Sequence, residues 1–331
     1  MAELRRDPVI GRWVIVDTDH PSVPSDFEIE ELTWAGGVCP FCLGNESLTP
    51  PEITAIRDPA TLPNTPGWQV RVVPNKFPAL QIEGDLNRKG LGIYDMSNGI
   101  GAHEVVIESP YHHKDLPDLL NVEIENIIST VCNRALDLAK DKRFKYIMIF
   151  KNYGPSAGAS LEHPHTQIIA LPMVPKNVLE EIHGAHAYFE YRERCIFCDM
   201  IRQETQEKER VILENKHFLS FCPFVSRFPF EIMIAPKKHS SYFCHVPKEE
   251  IPSLASILKE TITKIKKIFP KLAYNYIIHT TPFDGEETEG YHWHIEFMPK
   301  LMRVAGFEWG TGFYIVPTPP ELAAKYLKEV S

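Results

Sequence analysis

The sequence predicts an α+β fold made of two similar halves, each an antiparallel sheet with packed helices, arising from an internal duplication. Three observations predict it. The segments HEVVIESPYH (His103 to His112) and FEIMIAPKKH (Phe230 to His239) align without a gap, and both read as strands ending in a histidine. Each is followed by the same series of a helix, a strand, a Gly-containing turn and a strand carrying His-x-His. A CxxC pair precedes both, and the strand-ending histidine lies 51 positions before the first His of His-x-His in one half and 53 in the other.

The elements follow in order. After the opening DPVIGRWVIV, Cys39 and Cys42 sit in a Pro/Gly-rich loop, and PNKFPAL (Pro74 to Leu80) leads to the first histidine-ended strand. A helix spans Asp118 to Lys140, where Ile124, Ile127, Ile128, Val131, Ala135 and Leu138 recur at helical period. The strand Tyr146 to Asn152, a Gly-containing turn and the strand LEHPHTQIIALP close the first half. The bridge Pro172 to Arg194 begins Pro-rich and becomes helical. The second half repeats the plan: Cys195 and Cys198, ENKHFLS as the echo of PNKFPAL, a helix over Glu249 to Phe269, a strand over Tyr274 to Thr280, and GYHWHIEFMP. The tail from Gly306 reads as a Gly-rich strand, a proline break and a short final helix. The expected units are 1–171, a connector at 172–194, and 195–331.

Composition excludes several classes. With 331 residues, 44% hydrophobic and 24% charged, the chain is neither disordered, coiled coil nor collagen-like. A net charge of −9 argues against nucleic acid as a partner, since such binding needs a basic face, so any phosphate site must be local. No stretch approaches the roughly 20 apolar residues of a membrane span, and no signal-peptide pattern opens the chain; a cytoplasmic location is expected. Of seven cysteines, four form the two CxxC pairs, while Cys132, Cys222 and Cys244 stand alone in apolar surroundings and read as core filler.

Each half supplies two thiols and two histidines, the ligand set of a closed tetrahedral structural zinc site. The first would be Cys39, Cys42, His112 and His163, and the second Cys195, Cys198, His239 and His292. The strand alignment chooses His112 over its neighbour His113. Both metals are expected to hold the fold, with iron an open alternative at the second.

In LEHPHTQIIALP, period-two alternation puts His163, His165 and Gln167 on one face. With His163 held by metal, His165 is fixed beside a neutral amide. The preceding loop FKNYGPSAGAS (Phe150 to Ser160) offers backbone N–H groups and the Asn152 and Ser160 side chains as a phosphate cradle. That combination suits a neutral imidazole attacking phosphorus, with Gln167 donating to the oxyanion. The second half has Trp293 and Glu296 where the first has Pro164 and Gln167, which reads as one active copy and one scaffold copy; His279 and His294 could assist a metal there.

HPHTQ, FKNYGPSAGAS, CPFC, RVVPNKFPAL, YHWH and the terminal GFEWGTG together resemble, over nearly the whole chain, the galactose-1-phosphate uridylyltransferase family, a branch of the histidine triad superfamily with two fused halves. The second CxxC is similar to the plant-type branch, which includes enzymes handling ADP-glucose. The resemblance implies that His165 is the nucleophile of a covalent nucleotidyl-histidine. It implies that Gln167 and Ser160 hold the phosphoryl, that Asn152 and Gly158 lie near the nucleotide, and that Asn75 and Phe77 lie near base and ribose. Gly306, Phe307 and Glu308 would reach the sugar phosphate, often across a dimer interface.

After RWVIV the family usually carries an arginine-containing segment, but this chain reads DTDHPSVPSDF, with Asp17 and Asp19. Arg12, Arg71 and Lys76 are the candidates to compensate. The expected activity is ping-pong uridylyl transfer between UDP-glucose and galactose 1-phosphate. The alternatives are an ADP-glucose phosphorylase using the same histidine, and an inactive zinc-stabilised nucleotide-binding module. Expected partners are a nucleoside diphosphate sugar, a hexose 1-phosphate and a second copy of the chain.

Overall fold

Apolar side chains at period two on the strands and near period four on the helices meet on one face of a large sheet, and that meeting builds the core. The structure, a computed structural model, describes residues 1–34, 36–283 and 288–330. Its elements are β1 (Glu3–Arg6), β2 (Trp13–Val16), β3 (Thr54–Arg57), β4 (Trp68–Pro74), β5 (Lys89–Leu91), β6 (Tyr94–Met96), β7 (Ala102–Ile107), α1 (Asn121–Leu138), β8 (Tyr146–Tyr153) and β9 (His165–Leu171). There follow α2 (Lys176–Arg192), α3 (Ile196–Glu207), β10 (Val211–Glu214), β11 (Phe218–Phe221), β12 (Ile232–Pro236), α4 (Ile251–Ile268), β13 (Tyr274–His279), β14 (His294–Pro299), α5 (Gly306–Thr311), β15 (Tyr314–Val316) and α6 (Pro320–Glu329).

Ten strands form one antiparallel sheet in the order β10-β11-β12-β14-β13-β8-β9-β7-β4-β3. The order repeats outward from its centre: β13, β14, β12, β11 and β10 correspond to β8, β9, β7, β4 and β3. The duplication is therefore present, and the two sheets expected for the halves are joined edge to edge. β8 and β13 pair from Ile149↔Ile278 to Tyr153↔Tyr274, which removes two exposed edges. Helices α1 and α4 pack on each other, and Ile124, Ile127 and Val131 of α1 share one buried cluster with Leu254, Leu258 and Ile262 of α4.

The expected strands end earlier than the sequence reading has them. β7 stops at Ile107 and β12 at Pro236, so His112 and His239 lie in the loops beyond. Pro110 has no N–H for a ladder, and the chain turns there. In the tail, Gly306–Thr311 is helical, and only Tyr314–Val316 forms a strand. The Glu308 carboxylate accepts the Ala305 N–H at 3.0 Å, and Gly312 at φ 73° closes the turn, so capping overrides the glycine content. The Gly-containing turn before His292 lies partly outside the described residues.

β1, β2 and β15 form a second sheet, in which β2 and β15 run parallel. Val14, Val16, Val225 and Val316 cluster there, so the start of the chain packs on its end. Among the described residues no helix is long and apolar enough to cross a membrane.

Candidate functional site

Both sets of predicted metal ligands come together. The ligand atoms of Cys39, Cys42, His112 and His163 lie within 4.8 Å of one another, as do those of Cys195, Cys198, His239 and His292. In the first group Cys42 Sγ is 3.2 Å from His112 Nδ1 and 3.8 Å from His163 Nδ1; in the second, Cys198 Sγ is 3.4 Å from His239 Nδ1 and 3.5 Å from His292 Nδ1. The outer ring nitrogens repeat as well. His163 Nε2 donates to the Ser109 carbonyl and His292 Nε2 to the Pro236 carbonyl, each at 2.8 Å, which leaves Nδ1 as the free lone pair on each ring. Two thiols and two imidazoles with fixed tautomers fit a tetrahedral zinc ion.

β9 carries His165 directly after the first metal group. Its Nδ1 donates to the His163 carbonyl at 2.9 Å, and its Nε2 has no hydrogen-bond partner among the described residues. Burial pushes the His165 imidazole down to about 4, with Lys151 and His103 adding to the shift against the hydrogen bond to His163, so the ring is neutral at pH 7. The ring of Phe41, from the CPFC loop, packs edge-on at 5.3 Å. Two residues along the same face, Gln167 Oε1 lies 2.8 Å from His103 Nε2, and Asn75 Nδ2 lies 3.1 Å from that nitrogen. Thus His165, Gln167 and Asn75 are assembled on one sheet face, together with His103, which sequence reasoning missed. A signal existed: alternation along His103, Val105 and Ile107 puts a polar side chain on an otherwise apolar strand face.

The loop after β8 is tighter than the expected cradle. Gly154 and Gly158 have φ of 92° and 87°, and the N–H groups of Ala157, Gly158 and Ala159 already bond carbonyls within the loop. The Asn275 amide ties it to the other half, donating to the Ala157 carbonyl at 2.8 Å and to Asn152 Oδ1 at 2.7 Å. Side-chain donors of this loop that remain for a ligand include the Asn152 NH₂ group and the exposed Ser156 and Ser160 hydroxyls.

Other expected residues stay apart. Phe77 is 83% exposed beside Asn75, and Gly306 and Phe307 sit on α5 next to β15, with no hydrogen bond or ring contact to the His165 group among the described residues. Arg71 is buried and committed to Glu52 at 3.0 Å, and Arg12 lies in the β1–β2 loop over Tyr314, so neither supplies charge beside His165. Lys76 remains exposed next to Asn75. Asp17 caps its own turn, accepting from the N–H groups of Asp19 and His20.

The second half differs where the chemistry would be. His294 Nδ1 donates to the His292 carbonyl as His165 does to that of His163, but His294 Nε2 faces Glu181 at 3.3 Å. Burial opposes charge on His279, yet Glu296 and Glu181, each at 3.1 Å, outweigh it and lift the imidazole to about 10. Glu181 arrives from the connector helix α2, and no sequence pattern singled it out. A cavity of about 610 Å³ opens on this side, and residues 7–10, Glu181, His279 and Glu296 are among those that line it; the His279 ring lies 3.1 Å from both carboxylates.

The family model described as galactose-1-phosphate uridyl transferase, N-terminal domain, matches residues 45–175, and that for the C-terminal domain matches 181–325. An ADP-glucose phosphorylase of Arabidopsis thaliana is 39% identical over 99% of this chain and 93% of its own. A galactose-1-phosphate uridylyltransferase of Thermotoga maritima is 33% identical over 99% of this chain and 98% of its own. Among solved structures, an Arabidopsis ADP-glucose phosphorylase with bound ADP-glucose superposes with a TM-score of 0.84 at 39% identity, covering 100% of both chains. A uridylyltransferase superposes at 0.78 with 28% identity, over 100% of this chain and 98% of that one.

Proposed function

The chain belongs to the galactose-1-phosphate uridylyltransferase family, a family of transferases, and from that premise we propose that it moves a nucleoside monophosphate between phosphates through a covalent bond at His165. The observation that carries the reading is the His165 ring itself, with Nδ1–H held by a backbone carbonyl and Nε2 left without a partner. Nε2 attacks the α-phosphorus of a nucleoside diphosphate sugar, the bond from that phosphorus to the bridging oxygen breaks, and hexose 1-phosphate leaves with the electron pair. Positive charge grows on the ring as the N–P bond forms, and the Nδ1–H bond to the His163 carbonyl strengthens in step. The Gln167 amide, the Ser160 hydroxyl and the Asn152 amide are the donors for the phosphoryl oxygens. A second phosphate then attacks from the same side of the site and breaks the N–P bond. It arrives ionised, so no general base is needed.

UDP-glucose with galactose 1-phosphate as acceptor is the first reading of the substrates. A second, ADP-glucose with inorganic phosphate, draws support from the 39% identity to the Arabidopsis phosphorylase. Zinc in each Cys₂His₂ group would brace the loops that carry the histidines, and the first zinc would hold the carbonyl that orients His165. Gly306 and Phe307, exposed at the end of the second half, are assigned to the site of a partner copy in a homodimer. The cytoplasm as location and the partition at 1–171, 172–194 and 195–331 are part of the same reading.

Intact-protein mass after mixing with UDP-glucose or ADP-glucose, without acceptor and at neutral to basic pH, tests it. One donor should leave a uridylyl or adenylyl adduct, and His165→Ala should lose the adduct and at least about 10⁴-fold in turnover while keeping its melting temperature. A folded, metal-loaded protein that takes no adduct from either donor overturns the covalent reading.

A further inference from the structure

Gln167 can help a phosphoryl group only if its NH₂ end, and not its carbonyl, faces the substrate. An amide side chain can turn over at little cost, so something must choose the orientation. In this chain the choice runs through His103. The Ala79 backbone N–H is directed at His103 Nδ1 at 3.2 Å, and a backbone N–H can only donate, so Nδ1 must be the bare nitrogen of the neutral ring. The ring proton therefore lies on Nε2, which stands 2.8 Å from Gln167 Oε1. Donating there, it holds the Gln167 carbonyl and leaves both amide hydrogens without a partner among the described residues. Asn75 does not set this tautomer. Its Oδ1 accepts the Phe77 N–H at 2.9 Å, so its NH₂ group is what stands 3.1 Å from His103 Nε2; with the ring proton on Nε2 the two are donors facing each other, and the Ala79 N–H and Gln167 Oε1 carry the assignment. The register explains the reach: His103 pairs with Ile169, which places it diagonally from Gln167 on the same face of the sheet.

We propose that His103 is a positioning residue of the transfer reaction, which fixes the Gln167 amide with its NH₂ group toward the phosphoryl oxygens by donating Nε2–H to Gln167 Oε1. The inference rests on the function proposed above, and it adds a polar relay from the backbone of the Asn75–Ala79 loop to the reacting phosphate. A loop that also borders the nucleotide position is thereby coupled to the oxyanion donor. In the second half, Phe230 stands where His103 does and Glu296 where Gln167 does, so the relay exists on one side only.

Two measurements test it. The rate of adduct formation at saturating donor is compared in wild type, His103→Phe, which keeps a ring without an N–H, and His103→Gln, which restores a donor. His103→Phe should lower the rate about 10- to 100-fold with the donor KM changed less than about threefold, and His103→Gln should recover most of the loss. In a Gln167→Ala background His103→Phe should cost nothing further. An unchanged rate in His103→Phe, or a full additive loss in the double variant, overturns the proposal. Separately, ¹⁵N-histidine NMR of the wild-type protein should show His103, identified by the signal missing in His103→Gln, as the Nε2-protonated form; an Nδ1-protonated ring overturns the proposal too. If wild type takes no adduct, the transfer reading fails, and the tautomer alone then decides whether His103 orients Gln167.

Discussion

His165 and His294 are copies of one residue with opposite fates, and the difference lies in one neighbour each. Both rings give Nδ1–H to the carbonyl two residues back, but His294 Nε2 meets Glu181 while His165 Nε2 meets no protein group among the described residues. A carboxylate 3.3 Å from Nε2 competes for that nitrogen, which supports the reading of the second half as scaffold at this position. The HPHTQ motif made His165 and Gln167 legible, because alternation on a strand is a local property. The partners Glu181 and His103 were not legible, since each comes from a distant element. Gly154 belongs at this scale too. Its φ of 92° is open to glycine, and a Cβ there would stand 2.5 Å from that of Ala273. Gly154→Ala should therefore destabilise the protein by about 2–4 kcal/mol, read as a fall in urea midpoint with unchanged slope. A variant as stable as wild type would show that the loop relaxes.

The metal groups work at the scale of elements. Each brings a CxxC segment to the loop after one strand and the loop before another; Cys198 lies in the first turn of α3, and the other seven residues lie outside helices and strands. The residues of both groups could be named from sequence because the duplication repeated all four in order; the loops that carry two of them were read as strand ends, since the apolar run before them is continuous to the proline. Two zinc equivalents are expected in purified protein. Cys195→Ser should lose one and melt lower while still taking the nucleotidyl adduct. Cys39→Ser should lose the other and the adduct as well, because the His163 carbonyl that orients His165 moves with its metal. Metal content, melting and adduct mass on the two variants check this, and equal adduct yields would separate the first zinc from the chemistry.

Across the whole molecule the two halves are one body. β8 and β13 pair at the centre of the sheet, and a buried charge network crosses the seam there. Lys151 Nζ lies 2.6 Å from Glu108 and 2.7 Å from Asp115, and Asp115 also takes Lys266 at 2.5 Å and the Tyr274 hydroxyl at 2.8 Å. Burial would raise the Asp115 carboxyl, but Lys151 and Lys266 outweigh it and hold it well below the usual carboxylate range. A carboxyl depressed in the folded state adds stability that is fully present above its unfolded value near 3.9 and is lost as pH falls toward the folded value. Asp115→Asn should thus cost about 3–5 kcal/mol at pH 7, and its deficit should shrink between about pH 4 and pH 2, measured by urea denaturation across that range. A deficit constant with pH would mean that packing alone, and not charge, is lost.

The sequence by itself determined the duplication, the eight Cys and His residues that gather into two groups, the strand that carries His165 and Gln167, and the family, because each is written in local order: periodicity, spacing and short motifs that survive copying. Only the tertiary structure decided that the halves share one sheet and one core, that the start of the chain packs on its end, and that Arg71 answers to Glu52 and not to the region around His165. It also decided which of two equivalent histidines has a carboxylate beside its Nε2. The physical reason is that a strand edge, a buried charge and a ring tautomer are each settled by whatever group the fold brings within about 3 Å, and sequence separation carries no record of that distance.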